Sequence, residues 1–178
     1  GDTGYGGERN SFGTDLGLLC QLEIDKKTVL VSDGSWMASQ TGPLGHNDLM
    51  QGEQYDARKE DICEWHPVTE RKIGYGNLVC SNSFDVVEKE HFTGKRIDTP
   101  NGGLVIDFGQ NIAGYTQLRL YAHEGQRITI YHGECLDQHG NFTRENFQAP
   151  CHRVEQCVEY ICKGGWNDYK PQKSIFGF

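Results

Sequence analysis

Short segments in which apolar and polar residues alternate recur along the chain, and this pattern predicts β-strands. Residues 21–24 and 28–31 flank the charged turn Asp25-Lys26-Lys27 and predict a β-hairpin. Residues 36–60 lack the alternation and predict a long irregular loop that ends in a short strand. Loops of that length are often binding loops.

The strand pattern strengthens after Leu78. In the last long segment, Val158, Tyr160 and Cys162 fall on one face of a strand, with period two. Short strands separated by frequent turns predict an all-β sandwich or jelly roll. The predicted strands are residues 78–80, 84–87, 103–108, 116–121, 127–134 and 154–162, with another beginning at 176–178. Turns are predicted at 124–125, 137–140 and 164–165, and a helical turn at 141–148.

The amino-acid composition supports the all-β class and limits the kinds of partner that the chain is expected to bind. The 178 residues include 23 Gly and 5 Pro, and glycines spread along a chain are typical of tight turns between strands. The net charge of −8 disfavours nucleic acid, whose binding proteins need a basic surface, and suits neutral partners such as sugars. No apolar run approaches the roughly 20 residues that span a bilayer, so no membrane-spanning helix is expected.

The seven cysteines are odd in number and form no Cys-x-x-Cys motif. We therefore expect free thiols in a reducing compartment, and because no secretory signal begins the sequence the predicted location is the cytoplasm. Residues 1–20 lack a strand pattern and residues 176–178 begin one, so we expect both ends to continue in a longer protein.

One loop gathers side chains suited to bind a sugar or a cation. Carboxylate and amide oxygens ligate calcium, which predicts a calcium site at Asp48 and Glu53. The same groups hydrogen-bond sugar hydroxyls while an aromatic ring stacks on the sugar. The alternative is a solvated loop that an Asp56–Arg58 or Glu53–Arg58 ion pair holds in place. The candidate sugar-binding residues are Trp36, Asn47, Asp48, Glu53, Tyr55 and Arg58.

Two polar residues continue an inward-facing strand pattern. By period two, His132 and Glu134 lie on the face of Ile128 and Ile130. Polar groups on such a face need partners. They belong either to a strand end that has left the core or to a contact with another domain. No catalytic set is evident, and no pair among 25 acidic residues stands out as the carboxyl groups of a glycosidase.

Several strings together resemble the N-terminal region of bacterial α-L-rhamnosidases, inverting glycoside hydrolases that remove terminal L-rhamnose. The clearest is Asp107–Gly114 (DFGQNIAG), followed by His132–Asp137 (HGECLD). Upstream, Asp33–Trp36 and Gly52–Arg58 (GEQYDAR) resemble the family's Trp and GE-x-YDAR motifs. The order and spacing of these motifs agree with those of the family over essentially the whole chain, so the resemblance does not rest on any single short motif.

The resemblance implies two jelly-roll-like β-sandwich modules, at 1–79 and 80–178, the first incomplete at its N-terminus. It also implies that catalysis resides in a later (α/α)₆ barrel, absent here, where one carboxylic acid protonates the leaving oxygen and another activates water. Contact with that barrel is expected at Gln110, Asn111, His132 and Glu134. Two alternatives remain open: an independent calcium-assisted module that binds rhamnose-containing glycans, and a protein-interaction scaffold.

Overall fold

The computed structural model describes residues 15–49, 52–72, 74, 76, 78–146 and 157–178, and within them the secondary structure is strands with one 3₁₀ turn, Ala57–Lys59. The predicted all-β class is confirmed. The strands are β1 (Gln21–Ile24), β2 (Lys27–Val31), β3 (Met37–Ala38), β4 (Leu44–Asp48), β5 (Gly52–Asp56), β6 (His66–Pro67), β7 (Lys95–Asp98), β8 (Leu104–Asp107), β9 (Ala113–Gly114), β10 (Leu118–Tyr131), β11 (Cys135–Leu136), β12 (Phe142–Thr143), β13 (Cys157–Tyr169) and β14 (Phe176–Gly177).

The largest sheet has four strands in the order β10-β13-β5-β4. Strands β10 and β13 are antiparallel and pair from Leu118 with Tyr169 to Tyr131 with Cys157. Strand β5 runs parallel to β13, and β4 is antiparallel to β5. This sheet joins residues 44–56 to residues 118–131 and 157–169, which lie in different predicted modules; the boundary near residue 79 stays a prediction.

The core lies on one face of this sheet. Val158, Tyr160 and Cys162 of β13 are at most 1% exposed, which confirms the face that the sequence predicts for them. After Gly164 and Gly165 the buried positions become Asn167 and Tyr169, so the two glycines shift the alternation by one residue. Partly buried side chains of β10 pack against the same cluster, among them Leu118, Leu120, Ile128 and Ile130.

Two predicted turns are wrong because they are irregularities inside long strands. Glu124-Gly125 lies within the 14 residues of β10 and Gly164-Gly165 within the 13 residues of β13. The pairing register shifts between Glu124 and Arg127, and both Gly164 and Gly165 have positive φ (87° and 70°). Glycine adopts that conformation without steric cost, so the chain makes a bulge and the strand continues.

Other strand predictions had mixed outcomes. The hairpin β1–β2, strand β8, the turn at 137–140 and strand β14 are confirmed. Residues 78–80 and 84–87 are not strands; Val79 and Phe84 are 88% and 100% exposed. The loop predicted at 36–60 contains β3, β4 and β5, and residues 141–146 contain β12 instead of a helical turn. Residues 147–148 and 154–156 of these predictions lie outside the described residues.

The chain divides into two compact units, each formed by separate stretches of sequence. Among the described residues, one comprises 15–16, 39–49, 52–64, 94–146 and 157–178, and so includes the four-stranded sheet. The other comprises 17–38 and the described residues between 65 and 93, with the hairpin β1–β2 and the pair β3–β6. In the described part of the chain no helix is long and apolar enough to cross a membrane.

Candidate functional site

A depression of about 650 Å³ opens beside β8 and the end of β10. Its floor is apolar, with Leu118, Ile128 and Ile130 from β10 and Phe178 from the last residues of the chain. Polar side chains lie among these apolar ones. All four residues predicted to contact another domain line this one depression: Gln110, Asn111, His132 and Glu134.

The turn after β8 carries the first two of these residues. Gly109 has φ 76°, and its N–H donates to Asp107 Oδ1 at 2.7 Å. An aspartate that accepts a backbone N–H two residues on forms a tight local turn, which glycine at positive φ completes. Gln110 and Asn111 follow this turn directly and are both exposed.

His132 is the buried member of the set. It is 3% exposed, and its ring stacks on Phe176 at a centroid distance of 4.4 Å and packs against the tilted ring of Phe178 at 4.6 Å. Its Nε2 lies 3.2 Å from the hydroxyl of Thr116, whereas the buried Nδ1 has no hydrogen-bond partner among the described residues. Burial, assisted by the positive charge of Arg144, lowers the pKa of His132 to about 4.

Glu134 stands at the exposed side of the depression. Its Oε2 accepts a hydrogen bond from Asn146 Nδ2 at 3.1 Å. Close by, the guanidinium of Arg144 lies over the ring of Tyr131, 5.0 Å from its centroid. The depression therefore combines a buried neutral imidazole, a carboxylate and two exposed amides around an apolar floor. That mixture is typical of a surface that another protein segment covers.

Glu53, predicted to bind sugar or calcium, lies inside the fold. It is 2% exposed, and its two oxygens accept from Tyr169 Oη at 2.6 Å and from the Gln172 N–H at 2.8 Å. Burial and, to a smaller extent, the hydrogen bond to Glu53 raise the pKa of the Tyr169 phenol. Glu53 thus holds the end of β13 and the chain after it against β5.

Tyr55 belongs to an aromatic cluster next to Glu53. Its ring lies 5.9 Å from that of Tyr160 and 5.3 Å from that of Tyr169, and Tyr160 and Tyr169 stack at 4.4 Å. The Tyr55 hydroxyl donates to Glu60 at 3.2 Å. Burial and the charge of Glu60 raise the pKa of Tyr55 to about 12. The ring is engaged in the fold, which leaves little of it to stack on a sugar.

The Asp56–Arg58 ion pair predicted for this loop is present. Arg58 donates from Nε and Nη2 to the two oxygens of Asp56, at 2.9 and 2.8 Å. The same carboxylate caps the 3₁₀ turn through the Arg58 N–H, and these hydrogen bonds lower the pKa of Asp56. Because its guanidinium is held by both oxygens of Asp56, the Arg58 side chain is part of the structure of this turn.

The remaining predicted sugar-binding residues are less closely tied to this loop. Asn47 pairs with Glu53 across β4 and β5, and its buried Oδ1 has no hydrogen-bond partner in the described ranges. The backbone carbonyl of Asp48 accepts from Ser174 Oγ at 2.7 Å. Trp36 belongs to the other compact unit. No cluster of three or more His, Cys, Asp or Glu side chains that could hold a metal occurs among the residues described, and calcium binding stays a prediction.

Sequence reasoning missed the aromatic and hydroxyl partners of His132. The sequence pattern predicts only the beginning of a strand at Phe176 and Phe178, and another strand at Thr116. β14 pairs with β9, and Ile112 and Phe178 exchange two backbone hydrogen bonds at 2.6 and 2.9 Å, which places both phenylalanines against the imidazole. The alternation of Phe176 and Phe178 about Gly177 was the available signal.

Comparison with known proteins agrees with this architecture. Residues 1–90 match the family model described as the α-L-rhamnosidase N-terminal domain, and residues 97–178 match the bacterial α-L-rhamnosidase concanavalin-like domain. The strand architecture and these two family matches together identify the class of protein: the chain consists of all-β domains of a glycoside hydrolase. The chain belongs to the bacterial α-L-rhamnosidase family, as its sequence resemblance predicts.

Relatives named α-L-rhamnosidase are much longer than this chain. One from Formosa agariphila is 30% identical and covers 83% of this chain but 17% of its own length. One from Streptomyces avermitilis is 27% identical, and the match covers 95% of this chain and 18% of the relative. The solved structure of α-L-rhamnosidase from Dictyoglumus thermophilum matches with a TM-score of 0.67 and 27% identity, over 86% of this chain and 18% of that one. The chain thus spans about a fifth of the length of these relatives.

Proposed function

We propose that this chain is the non-catalytic β region of an α-L-rhamnosidase that hydrolyses terminal α-L-rhamnosyl residues. The observation that carries the proposal is the match of both of its parts to rhamnosidase domains, over about a fifth of the length of enzymes with that name. An inverting glycosidase uses two carboxyl groups roughly 6.5–9.5 Å apart, one to protonate the leaving oxygen and one to activate water. In this proposal those groups belong to another part of the enzyme.

The acidic residues of the predicted loop support this division. Glu53 is buried with both oxygens accepting hydrogen bonds, and Asp56 is held by Arg58. A carboxyl group that protonates a glycosidic oxygen must reach the substrate. Glu53 and Asp56 are engaged within the chain and serve its fold.

The depression around His132 is then the surface that packs against the catalytic (α/α)₆ domain. Its buried imidazole has one nitrogen without a partner among described residues, and its apolar floor is open on one side. Burial of an unpaired polar atom is costly, and a polar group from a second domain would relieve that cost. Phe178 also lines the depression, so chain that follows it in a longer enzyme would start from this surface.

A rhamnosidase assay tests the division of labour. We expect the 178-residue chain to give no hydrolysis of p-nitrophenyl α-L-rhamnoside above buffer, and the longer protein of the same reading frame to release p-nitrophenol. Turnover by a clean preparation of the chain alone would overturn the proposal.

Binding of a separately produced catalytic domain tests the surface. Gln110→Ala combined with Glu134→Ala is expected to weaken association at least about tenfold by calorimetry, because both residues line the depression. The matched control is Arg96→Ala, an exposed residue of β7 paired with Asp98. Equal affinities for the double variant and the control would contradict this role.

Two functions retained from the sequence stay predictions. Calcium-assisted binding of rhamnose-containing glycans at Asp48 and Glu53 requires both carboxylates, and calorimetry with L-rhamnose, with and without calcium, tests it. Loss of rhamnose binding in Asp48→Ala would support that site. A purely structural scaffold would bind the catalytic domain and no sugar.

A further inference from the structure

The outward face of the four-stranded sheet carries an exposed aromatic pair. Tyr121 of β10 and Trp166 of β13 are directly opposite each other across the two strands. Their side chains are 70% and 69% exposed. The ring centroids are 5.8 Å apart with an interplanar angle of 84°. A T-shaped pair with this much of both rings in solvent forms a corner that leaves aromatic surface accessible.

The backbone beneath the pair is held firmly. Asn167, next to Trp166, is fully buried and accepts at Oδ1 from the Tyr160 hydroxyl at 2.9 Å and from the Lys163 N–H at 3.1 Å. Its Nδ2 donates to the Gly165 carbonyl at 3.0 Å. These three hydrogen bonds close the bulge at Gly164-Gly165 and fix the direction of Trp166. Rigid presentation of a ring lowers the entropic cost of binding.

Polar side chains flank the rings along the same two strands. Asp168 lies opposite Arg119 and accepts a hydrogen bond from Gln117 Nε2 at 2.9 Å. Amide, carboxylate and guanidinium groups together offer donors and acceptors to hydroxyl groups. The charges of Arg119 and Asp168 cancel, which favours an uncharged polyhydroxyl ligand over a phosphate or a polycation.

We propose that Tyr121 and Trp166 form a carbohydrate-binding surface on this face of the sheet. A pyranose ring has a face of C–H groups that packs on the electron-rich face of an aromatic ring, while its hydroxyls point to the sides. The sugar stacks on the pair, and Gln117, Arg119 and Asp168 hydrogen-bond its hydroxyls. The inference goes beyond the proposed function and is independent of it, because the depression around His132 uses Leu118, Ile128 and Ile130 on the opposite face of β10.

The test measures binding of the 178-residue chain to neutral sugars. The probes are methyl α-L-rhamnopyranoside, by calorimetry, and a soluble neutral rhamnan and an arabinogalactan, by affinity electrophoresis. We expect binding to at least one of them. Trp166→Ala should weaken that binding at least about tenfold and Tyr121→Ala less, with Trp166→Phe intermediate because it keeps a ring.

The matched control is Trp65→Ala, which removes another exposed tryptophan, 60% exposed, from the other compact unit. Circular dichroism and thermal melting establish that each variant is folded, which is expected since both side chains lie mainly in solvent. Retained binding in Trp65→Ala with loss in Trp166→Ala supports the surface. No binding to any probe, or equal binding by Trp166→Ala and wild type, overturns the proposed carbohydrate-binding surface. Either result is also expected if this face contacts protein and not sugar.

Discussion

Glu53 and His132 are both buried polar residues, yet their surroundings differ. Around Glu53 two donors, the Tyr169 hydroxyl at the end of β13 and the Gln172 N–H that follows it, satisfy the carboxylate. Around His132 the imidazole packs against two phenylalanines at an open depression, and Nδ1 has no partner among described residues. Burial alone therefore does not identify a functional residue, whereas incomplete pairing beside an open surface marks a place for a partner.

Replacing Glu53 should have the largest effect. Glu53→Ala leaves the buried Tyr169 hydroxyl and the Gln172 N–H without their acceptor and opens a cavity, so we expect a loss of about 4 kcal/mol in the free energy of unfolding. Urea denaturation measures it. The exposed Glu64→Ala is the control, expected to change stability by less than about 0.5 kcal/mol. Equal stabilities of the two variants would show that Glu53 does not hold the sheet.

The pH dependence of stability should report on His132. Its pKa is about 4 in the folded chain and 6.5 when unfolded, so between these values the unfolded state binds a proton that the folded state does not. Stability therefore falls as the pH drops from 6.5 to 4, by about 3 kcal/mol from this residue. Above pH 6.5 both states are neutral at this residue and the contribution disappears.

The difference between wild type and His132→Phe isolates this contribution, because the other titrating groups cancel. His123→Gln, which replaces an exposed histidine, serves as the substitution control. Parallel stability curves for wild type and His132→Phe from pH 7 to 4 would exclude the buried neutral imidazole.

Tyr169→Phe should have a smaller effect than Glu53→Ala. The ring keeps its stacking on Tyr160, and Glu53 keeps the Gln172 N–H, so only one hydrogen bond to a carboxylate is lost. We expect a cost of about 2 kcal/mol by urea denaturation. Tyr131→Phe, at an exposed position, should be nearly neutral. A cost for Tyr169→Phe no greater than for Tyr131→Phe would remove the contrast between the two regions.

Replacing His132 by Phe at neutral pH should have the smallest effect on the isolated chain. An aromatic ring of similar shape keeps the packing against Phe176 and Phe178, and the substitution removes a buried nitrogen that lacks a partner. Thr116 loses one contact at 3.2 Å. We expect a change below about 1 kcal/mol in either direction. A loss as large as that of Glu53→Ala would mean that His132 serves the fold.

The sequence allowed the strand class, the first hairpin and the inward face of β13 to be predicted, because alternation is a local property. The parallel pairing of β5 with β13 joins residues about a hundred positions apart, and no local pattern encodes it. For that reason the sequence predicts Glu53 as a sugar or calcium ligand in a loop, whereas it is 2% exposed in the structure. Residues 84–87 have strand-forming side chains but pair with no other strand in the described chain, so propensity alone misled.

The candidate site was predictable in part. His132 and Glu134 followed from period two along the strand, and family resemblance added Gln110 and Asn111; the structure brings all four to one depression. The outward pair Tyr121 and Trp166 was hidden because the predicted turns at 124–125 and 164–165 broke both strands. These rings are opposite each other because residues 118–122 pair with residues 165–169, beyond the glycines where the sequence predicts that the strand ends.

Amide hydrogen exchange, compared between the 178-residue chain and the longer rhamnosidase that we propose contains it, tests the central claim most directly. If the depression packs against the catalytic domain, amides of residues 108–111 and 132–136 should exchange at least about tenfold more slowly in the longer protein, while those of 52–56 around Glu53 stay unchanged. Equal exchange rates at the depression in the two proteins would contradict the account.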